Sequence, residues 1–245
     1  MNQEHYQFAE LADLSFKTAN KIVPILTEII GLPHSVIDLG GGTGAWCKAF
    51  KQSGSSKVCC VDHPSVLKSG KLLLDEHEFF PVDLLEGLPP IRPYDLAIST
   101  EVCEHLPESR SEDLVNFLTS SSKIILFSAA IPRQGGLNHI NEQRPSFWKK
   151  LFEKYSYKRL DIIRPLIIFD SSIPAYIRQN LYFYTQEEVI AEIPEKFKQS
   201  FIPDEFEIVE EKILKKPLGI GEVLEAFPLA LSRSLRSRLF GHSEK

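Results

Sequence analysis

The fold of this chain is set by the stretch Val36-Ile37-Asp38-Leu39-Gly40-Gly41-Gly42-Thr43-Gly44. Its first four residues are mostly apolar and follow Pro33, which predicts a buried strand. The glycines lack a Cβ atom, so the backbone can turn sharply there and approach a ligand closely. Residues 45–52 continue as a helix that stops near Gly54. A strand, a glycine turn and a helix N-terminus together predict a site where backbone N–H groups face a bound ligand.

Two families of ligand-binding proteins use a glycine turn of this kind. A dinucleotide site requires G-x-G-x-x-G/A, which Gly40, Gly42 and Ala45 satisfy only loosely. The other family requires an acidic residue followed by three glycines at alternate positions, and this stretch fits at every position. It therefore resembles motif I of class I S-adenosylmethionine (SAM)-dependent methyltransferases. The resemblance implies that Gly40, Gly42 and Gly44 pack on the methionine part of SAM and that Asp38 helps to hold its amino group.

An acidic residue at the end of the second predicted strand fits the same cofactor. Residues 57–62 form that strand, and Asp62 lies 18 positions after Gly44. A ribose-binding acid follows such a turn after about 20 residues, and a carboxylate there accepts hydrogen bonds from both ribose hydroxyls. The alternative is a solvated aspartate at a strand end. We assign Asp62, with the adjacent His63, to the cofactor site.

Further cofactor residues follow from the resemblance. Residues 78–82 form a third predicted strand that ends before Asp83 and Leu84. The resemblance implies that an acidic residue here meets the adenine amino group and that the adjacent leucine covers the ring. A loop aspartate without a ligand is the alternative for Asp83. Ser99, in the fourth predicted strand at 94–100, completes the candidate cofactor residues.

The residues after the fourth strand are the candidates for the reacting groups. If Glu101 begins a helical turn, Glu104 and His105 lie on the same face, at i+3 and i+4. His139 follows the fifth predicted strand and approaches from the neighbouring loop, because these strand ends share one edge of the sheet. Two carboxylates and two imidazoles suit a divalent cation: Mg²⁺ or Mn²⁺ if the oxygen ligands dominate, and Zn²⁺ if the imidazoles dominate.

The E-x-x-E-H arrangement resembles that of ubiquinone-pathway O-methyltransferases. It is also similar to that of small-RNA 3′-terminal 2′-O-methyltransferases, where these residues and a distal histidine hold a metal. A metal-free reaction is the alternative, because many class I enzymes carry Glu-His-Leu-Pro at this place without a metal. In that case His105 or His139 acts alone as the general base, with Glu104 positioning the substrate.

A polar, glycine-bearing segment at 133–144 follows the fifth strand, at the edge where open α/β sheets hold their ligand crevice. Its density of hydrogen-bonding groups favours a substrate loop over a mobile surface loop. We therefore expect a SAM-dependent O-methyltransferase acting on a small polar molecule, with a sugar or a sugar-containing intermediate favoured. A catechol-like ring and an RNA 2′-hydroxyl are the alternatives within this class. An NAD(P)-dependent oxidoreductase and a non-catalytic SAM-binding protein are the alternatives from other classes.

Composition and charge are typical of a globular cytoplasmic protein. The chain has 245 residues, 43% of them apolar and 25% charged, with a formal net charge of -5. This acidity argues mildly against a general nucleic-acid binder, so no nucleic-acid partner is expected. The N-terminus lacks the pattern of a secretory signal, and no apolar run approaches the length of a transmembrane helix. The four cysteines show no zinc-binding spacing and are expected to be reduced thiols.

The resemblance implies an α/β fold, a doubly wound, Rossmann-like sheet of seven strands in which the last strand is antiparallel. Residues 1–185 are expected to form the methyltransferase core, in which the helical pattern at 8–30 is divided at Pro24. Residues 165–179 are expected to be irregular. Residues 186–245 are expected to form a helical appendage of the same domain. Its basic, leucine-spaced end is expected to contact the core or a second copy of the chain.

Overall fold

The structure, a computed structural model, describes the backbone of residues 8–198 and the side chains from Ala12 onward. Strands and helices alternate through most of this range. The strands are β1 (Ser35–Leu39), β2 (Lys57–Asp62), β3 (Phe79–Pro81), β4 (Leu96–Thr100), β5 (Ile124–Ser128), β6 (Lys158–Leu160) and β7 (Tyr182–Thr185). The helices are α1 (Phe8–Ile30), α2 (Ala45–Ser53), α3 (Ser65–Lys68), α4 (Ser111–Ser121), α5 (Pro145–Lys154), α6 (Arg164–Ile167), α7 (Ala175–Asn180), α8 (Glu187–Glu192) and α9 (Glu195–Lys198).

The strands of the described range form one seven-stranded sheet in the order β3-β2-β1-β4-β5-β7-β6. The pairs from β3 to β5 are parallel, whereas β7 is antiparallel to both β5 and β6. The chain winds outward from β1 to β3 and then returns to β4, so the direction of winding changes between β1 and β4. Open sheets bind their ligands at such a switch point. The predicted seven-stranded, doubly wound sheet with an antiparallel last strand is confirmed.

Helices cover both faces of the sheet, because its central strands are buried on both sides. Every residue of β1 is buried, as are four of the five residues of β4. On one face, α1 and α2 contribute Ile22, Leu26 and Phe50 to one apolar cluster. On the other face, α4 and α5 contribute Leu114 and Phe152 to a second cluster. Burial of each such side chain stabilises the fold by about 1.5–3 kcal/mol, so the helices hold the strand ends in a fixed arrangement.

Helix α1 runs without interruption through Pro24, so the expected division into two helices is wrong. A proline in a helix interior removes one backbone hydrogen bond and costs about 3 kcal/mol. The apolar face nevertheless continues on both sides of it, since Ile22, Leu26 and Ile29 are all buried. Packing of this continuous face outweighs the local cost of the proline.

The expectation of irregular structure at 165–179 is also wrong, because α6 and α7 occupy parts of this segment. Their polar anchor is Arg164, which is almost fully buried and forms an ion pair with Asp161. The same guanidinium donates to the backbone carbonyl of Gln179 at 2.9 Å and lies 4.5 Å over the ring of Tyr182. Arg164 therefore links the segment after β6 to the end of α7 and to β7.

Two short helices follow β7 within the described range. Helices α8 and α9 place Ile193 and Phe197 in the apolar cluster that also contains α1. The domain boundary at residue 185 stays a prediction, and the basic, leucine-spaced segment at 212–245 lies outside the described residues. None of the described helices combines the length and the apolar composition needed to cross a bilayer.

Candidate active site

A cavity of about 760 Å³ opens at the carboxyl edge of the sheet. Its walls come from the carboxyl ends of the five parallel strands and the segments that follow them. These are the glycine turn after β1, Asp62 at the end of β2, residues 83–85 after β3, residues 100–102 and 104–106 at and after the end of β4, and the loop 134–139 after β5. Side chains of α1 and α7, such as Tyr176, complete the walls. Because these strand ends share one edge, segments that are distant in sequence line a single chamber.

The glycine turn lines the cavity, and a side chain added to it would find open space at one position and meet protein at others. A Cβ atom at Gly42 would meet nothing within 4 Å, whereas one at Gly40 would overlap the side chain of Val102. A Cβ atom at Gly44 would lie 2.5 Å from Cδ1 of Leu74. Gly40 and Gly42 also have positive φ angles, of 77° and 55°. The turn therefore requires glycine both for close packing behind it and for open space in front of Gly42.

Asp62 joins the glycine turn to the end of β2. Its Oδ2 accepts a hydrogen bond from the N–H of Gly42 at 2.6 Å, and its Oδ1 accepts one from the N–H of His63 at 2.6 Å. Burial raises the pKa of Asp62, and these two donors oppose that rise. Each oxygen retains a second lone pair, and the residue lines the cavity. This geometry suits a ligand with two adjacent hydroxyl groups, as the ribose assignment requires.

The residues assigned to adenine recognition, Asp83 and Leu84, also line the cavity, as does His63 of the predicted cofactor site. Nε2 of His63 lies 3.8 Å from Oδ2 of Asp83, and Oδ1 of Asp83 accepts a hydrogen bond from the N–H of Leu85. Leu84 belongs to the second apolar cluster. An acidic oxygen and an apolar side chain therefore stand side by side on one wall, as the adenine assignment requires.

Three of the predicted cofactor residues, Asp38, Gly44 and Ser99, do not line the cavity in the described part of the chain. The side chain of Asp38 is fully buried behind Gly41, and neither of its oxygens meets a hydrogen-bond donor among the described residues. Burial, and then the nearby charge of Asp62, raises the pKa of Asp38 to about 8. Contact between Asp38 and a ligand amino group stays a prediction.

The groups after β4 do not follow the helical turn that their spacing predicts. Glu101 has a φ angle of 55°, in the left-handed region, and a 3₁₀ turn spans only Cys103–His105. The expectation that Glu101 begins a helical turn is therefore wrong. A residue other than glycine in the left-handed backbone conformation lowers the stability of the fold by about 1–2 kcal/mol. Hydrogen bonds from the N–H of Glu101 to the carbonyl and the hydroxyl of Ser128 on β5, at 3.0 and 3.2 Å, offset this cost.

Glu104, His105 and His139 nevertheless converge. Each offers one potential ligand atom, and these atoms lie within 4.8 Å of one another. The rings of His105 and His139 are 4.9 Å apart and meet edge to face. The loop after β5 is held there because the N–H groups of Ile140 and Asn141 both donate to the backbone carbonyl of Glu104, at 2.8 and 3.1 Å.

The electrostatics of these three residues fit a cation. Glu104 is fully buried, and neither of its carboxyl oxygens meets a donor in good geometry within the described range. Burial, and then the charge of Glu101, raises the pKa of Glu104 to about 9. Burial, and then the charge of His139, lowers the pKa of His105 to about 4, so its imidazole is neutral at physiological pH. A buried carboxyl group that meets no donor in good geometry, beside two imidazole rings, is a set of groups that a divalent cation can satisfy.

Glu101 lies outside this group of three potential ligands, although its carboxyl group contacts that of Glu104. Its Oε2 accepts a hydrogen bond from Nε2 of Gln134 at 2.8 Å, and its Oε1 accepts one from Nδ2 of Asn180 at 3.4 Å. Asn180 also donates to Oε1 of Gln134 at 2.7 Å. Of the four predicted metal ligands, the structure brings three together and engages the fourth with side-chain amides.

Sequence reasoning missed two residues that support this site. Asn180 ends α7, in a segment without any motif. Asn141 anchors the loop after β5 by donating from Nδ2 to the carbonyl of Cys103 at 3.2 Å and to Oγ of Ser111 at 3.1 Å. The polar composition of 133–144 identifies the loop as a whole, but it does not identify the partner of each side chain.

Comparisons with known proteins concern the family and the fold of the chain. The protein family described as "methyltransferase domain" matches residues 4–161 of the chain. No curated protein matches the sequence significantly. Human N-acetylserotonin methyltransferase in complex with SAM is similar over 73% of this chain and 54% of its own, with 17% identity and a TM-score of 0.50. An O-methyltransferase family 2 protein from Planctomyces limnophilus in complex with apigenin is similar over 73% of this chain and 60% of its own, with 17% identity and a TM-score of 0.52.

A third similar structure is the methyltransferase domain of the bacterial protein CtHen1-C. It is similar over 71% of this chain and 98% of its own, with 23% identity and a TM-score of 0.51. The chain thus spans little more than half the length of the first two structures and nearly the whole of this domain. At these identities the likeness concerns the fold, and it agrees with the class I methyltransferase fold that the glycine turn predicts.

The substitution Asp38→Asn should change how the stability of the ligand-free protein depends on pH. The folded pKa of Asp38, about 8, lies above its ordinary value of 3.8. Between these values the unfolded chain has released the proton and the folded protein retains it. The free energy of unfolding therefore falls as the pH rises, by up to about 1.4 kcal/mol per pH unit, and the asparagine variant lacks this contribution. Urea titrations of both proteins across this range measure the difference; equal slopes would contradict a protonated Asp38.

Proposed function

The chain belongs to the methyltransferase domain family, and from this premise we propose that it is a SAM-dependent O-methyltransferase acting on a hydroxyl group of a small polar molecule. The observation that carries the proposal is one cavity with two different ends. The glycine turn and Asp62 form the cofactor end, and Glu104, His105 and His139 form the acceptor end. Methyl transfer is an in-line displacement, so cofactor and acceptor have to meet in one chamber with fixed geometry.

The acceptor end supports removal of a proton from the attacking hydroxyl group. His105 is neutral at physiological pH, but a base whose pKa is about 4 is a weak proton acceptor there. Proton removal by His105 alone is therefore inefficient. This leaves two routes, in which His139 takes the proton or a bound cation lowers the pKa of the hydroxyl.

A divalent cation fits this end of the cavity, with Glu104, His105 and His139 as its ligands. The fit rests on the buried carboxyl group of Glu104, which meets no donor in good geometry and would gain a partner in the cation. One carboxylate and two imidazoles suit Zn²⁺ or Mn²⁺ better than Mg²⁺, which prefers oxygen ligands. Such an ion supplies Lewis acidity that lowers the pKa of a bound hydroxyl. Glu101 would join as a fourth ligand through a lone pair that its bonds from Gln134 and Asn180 leave unused.

The cavity wall favours an uncharged acceptor that is rich in hydroxyl groups. The amide of Gln134 and the phenol of Tyr176 stand near the carboxyl groups and supply both donors and acceptors of hydrogen bonds. Within the described residues no lysine or arginine lines the cavity, although these side chains are the usual partners of phosphate groups. A sugar or a sugar-containing compound is therefore favoured over an RNA 2′-hydroxyl. A catechol-like ring is the second candidate, because Leu137 and Ile177 also line the cavity.

Release of S-adenosylhomocysteine from SAM, measured with a panel of acceptors, tests the reaction. The panel contains neutral sugars, a catechol and a short RNA with a free 3′ end. We expect release with at least one sugar, because the wall offers hydrogen bonds and no phosphate-binding cation. Turnover with the RNA alone would contradict the sugar assignment. Tight binding of NAD rather than SAM in calorimetry would contradict the methyltransferase, and SAM binding without any turnover would favour a non-catalytic SAM-binding protein.

The substitution Gly42→Leu should abolish SAM binding. A Cβ atom at this position meets no protein atom within 4 Å, so the added side chain extends into the cavity. The matched control is Gly70→Leu, because Gly70 has a similar φ of 63°, also meets nothing within 4 Å, and does not line the cavity. Both variants bear the same left-handed cost of about 1–2 kcal/mol. Calorimetry should show that Gly42→Leu binds SAM at least a hundredfold more weakly than the wild type, whereas Gly70→Leu binds SAM as the wild type does. Equal SAM affinities of the two variants would contradict the cofactor assignment.

Removal of divalent ions with a chelator should abolish methyl transfer and leave SAM affinity unchanged. Added Zn²⁺, Mn²⁺ or Mg²⁺ should restore turnover in the wild type but not in Glu104→Gln, which lacks the anionic ligand. Glu108→Gln is the control, since Glu108 lies outside the cavity wall. Under the metal-free alternative, chelation has no effect and His139→Ala lowers the rate by about 10²–10⁴-fold.

A further inference from the structure

The side chain of Glu142 turns back into the loop that it follows. Its Oε2 accepts a hydrogen bond from the N–H of Arg133 at 2.7 Å, and its Oε1 accepts one from the N–H of Gly135 at 2.7 Å. Oε1 also lies 3.0 Å from Nδ1 of His139. One carboxylate therefore contacts the beginning of the loop and the imidazole that the loop carries into the cavity.

The backbone of this loop forms a binding place for that carboxylate. Arg133, Gly135 and Asn138 all have positive φ angles, of 75°, 68° and 60°. Such turns direct nearby N–H groups toward one point and create a concave anion site. Here the anion is the side chain of Glu142 from the same loop. Its charge-assisted hydrogen bonds offset the left-handed cost at Arg133, so the loop and the carboxylate stabilise each other.

The same carboxylate decides which nitrogen of His139 carries the proton. An anionic acceptor beside Nδ1 favours a proton on that atom, whereas a neutral imidazole in water prefers the proton on Nε2. Nε2 is then left with its lone pair. The space around Nε2 exists because residue 136 is glycine: a Cβ atom there would overlap this nitrogen. Glu142 thus contacts Nδ1 of the imidazole, and the absence of a side chain at Gly136 leaves room for Nε2 of the same ring.

We infer that Glu142 is a positioning residue that holds His139 as its Nδ1–H tautomer and leaves Nε2 to serve the group formed with Glu104 and His105. The inference concerns the site on which the proposed function rests. A lone pair on Nε2 is what the site needs in either route, because a metal ligand and a general base both use an unprotonated nitrogen. Glu142 itself does not line the cavity in the described range, so it acts through His139.

The experiment reads the tautomer directly, without SAM, acceptor or metal. Full-length protein is labelled with ¹⁵N-histidine, treated with a chelator and examined by two-bond ¹H–¹⁵N correlation at mildly alkaline pH. The signals of His139 are identified by their loss in His139→Gln. We expect the Nδ1–H pattern in the wild type and the Nε2–H pattern in Glu142→Gln, whose neutral side chain no longer favours a proton on Nδ1. The matched control is Glu108→Gln, which removes the negative charge from the acceptor of Gln143 in the same region and lies away from the imidazole.

A second readout is the affinity for Zn²⁺ measured by calorimetry. Loss of a carboxylate that orients a histidine ligand weakens metal binding by about 10–100-fold, and Glu142→Asp, which keeps the charge, should recover part of this loss. An Nε2–H pattern in the wild type overturns the inference, even if Glu142→Gln fails to fold. An Nδ1–H pattern that persists in a folded Glu142→Gln overturns it as well. Absence of Zn²⁺ binding in a wild type with the Nδ1–H pattern refutes the metal site and leaves the role of Glu142 standing.

Discussion

Close packing of the glycine turn is the constraint on which the whole site depends. Any side chain at position 40 would overlap Val102, which lies two residues beyond the end of β4. The hydrogen bond from Gly42 to Asp62 ties the same turn to the end of β2. A larger residue at Gly40 would therefore push β1 away from the segment that carries Glu104. The cofactor end and the acceptor end belong to one packing arrangement, although they come from separate parts of the chain.

The same edge of the sheet concentrates buried acids, and this shapes what the site can bind. Burial raises the pKa of four carboxyl groups there: Asp38, Asp62, Glu101 and Glu104. Each group is less stable as an anion than it would be in water, so the ligand-free fold bears an electrostatic cost. Positively charged ligands reduce this cost. The proposed reaction supplies them, with the sulfonium and amino groups of SAM at one end and a divalent cation at the other.

Local patterns explain which parts of the molecule could be predicted from the sequence. The predicted second strand at 57–62 coincides with β2, and Asp62 follows the glycine turn after one helix and one strand, at close to the expected spacing. The sequence predicts a division into two helices at Pro24, and the structure shows none there because a continuous apolar face packs on both sides of the proline. The backbone of Glu101 could not be predicted, since its left-handed conformation depends on hydrogen bonds to Ser128 on a neighbouring strand. Tertiary contacts of this kind are absent from any short window of sequence.

The cofactor end and the acceptor end of the cavity are built from different groups, and this difference bears on specificity for the methyl acceptor. The cofactor end consists largely of backbone groups and strand ends, which the apolar layers hold in place. The acceptor end consists of side chains carried by the loop after β5 and by α7, such as Gln134, His139 and Asn180. Asn141, near the end of that loop, donates a hydrogen bond to the backbone of Cys103. The side chain of Glu142 accepts a hydrogen bond from the N–H of Arg133 and so holds the beginning of the loop. Residues between the anchors can therefore change without disturbing either the fold or the cofactor end. Under the proposed function, the choice of acceptor would then depend on the 133–142 loop and on α7.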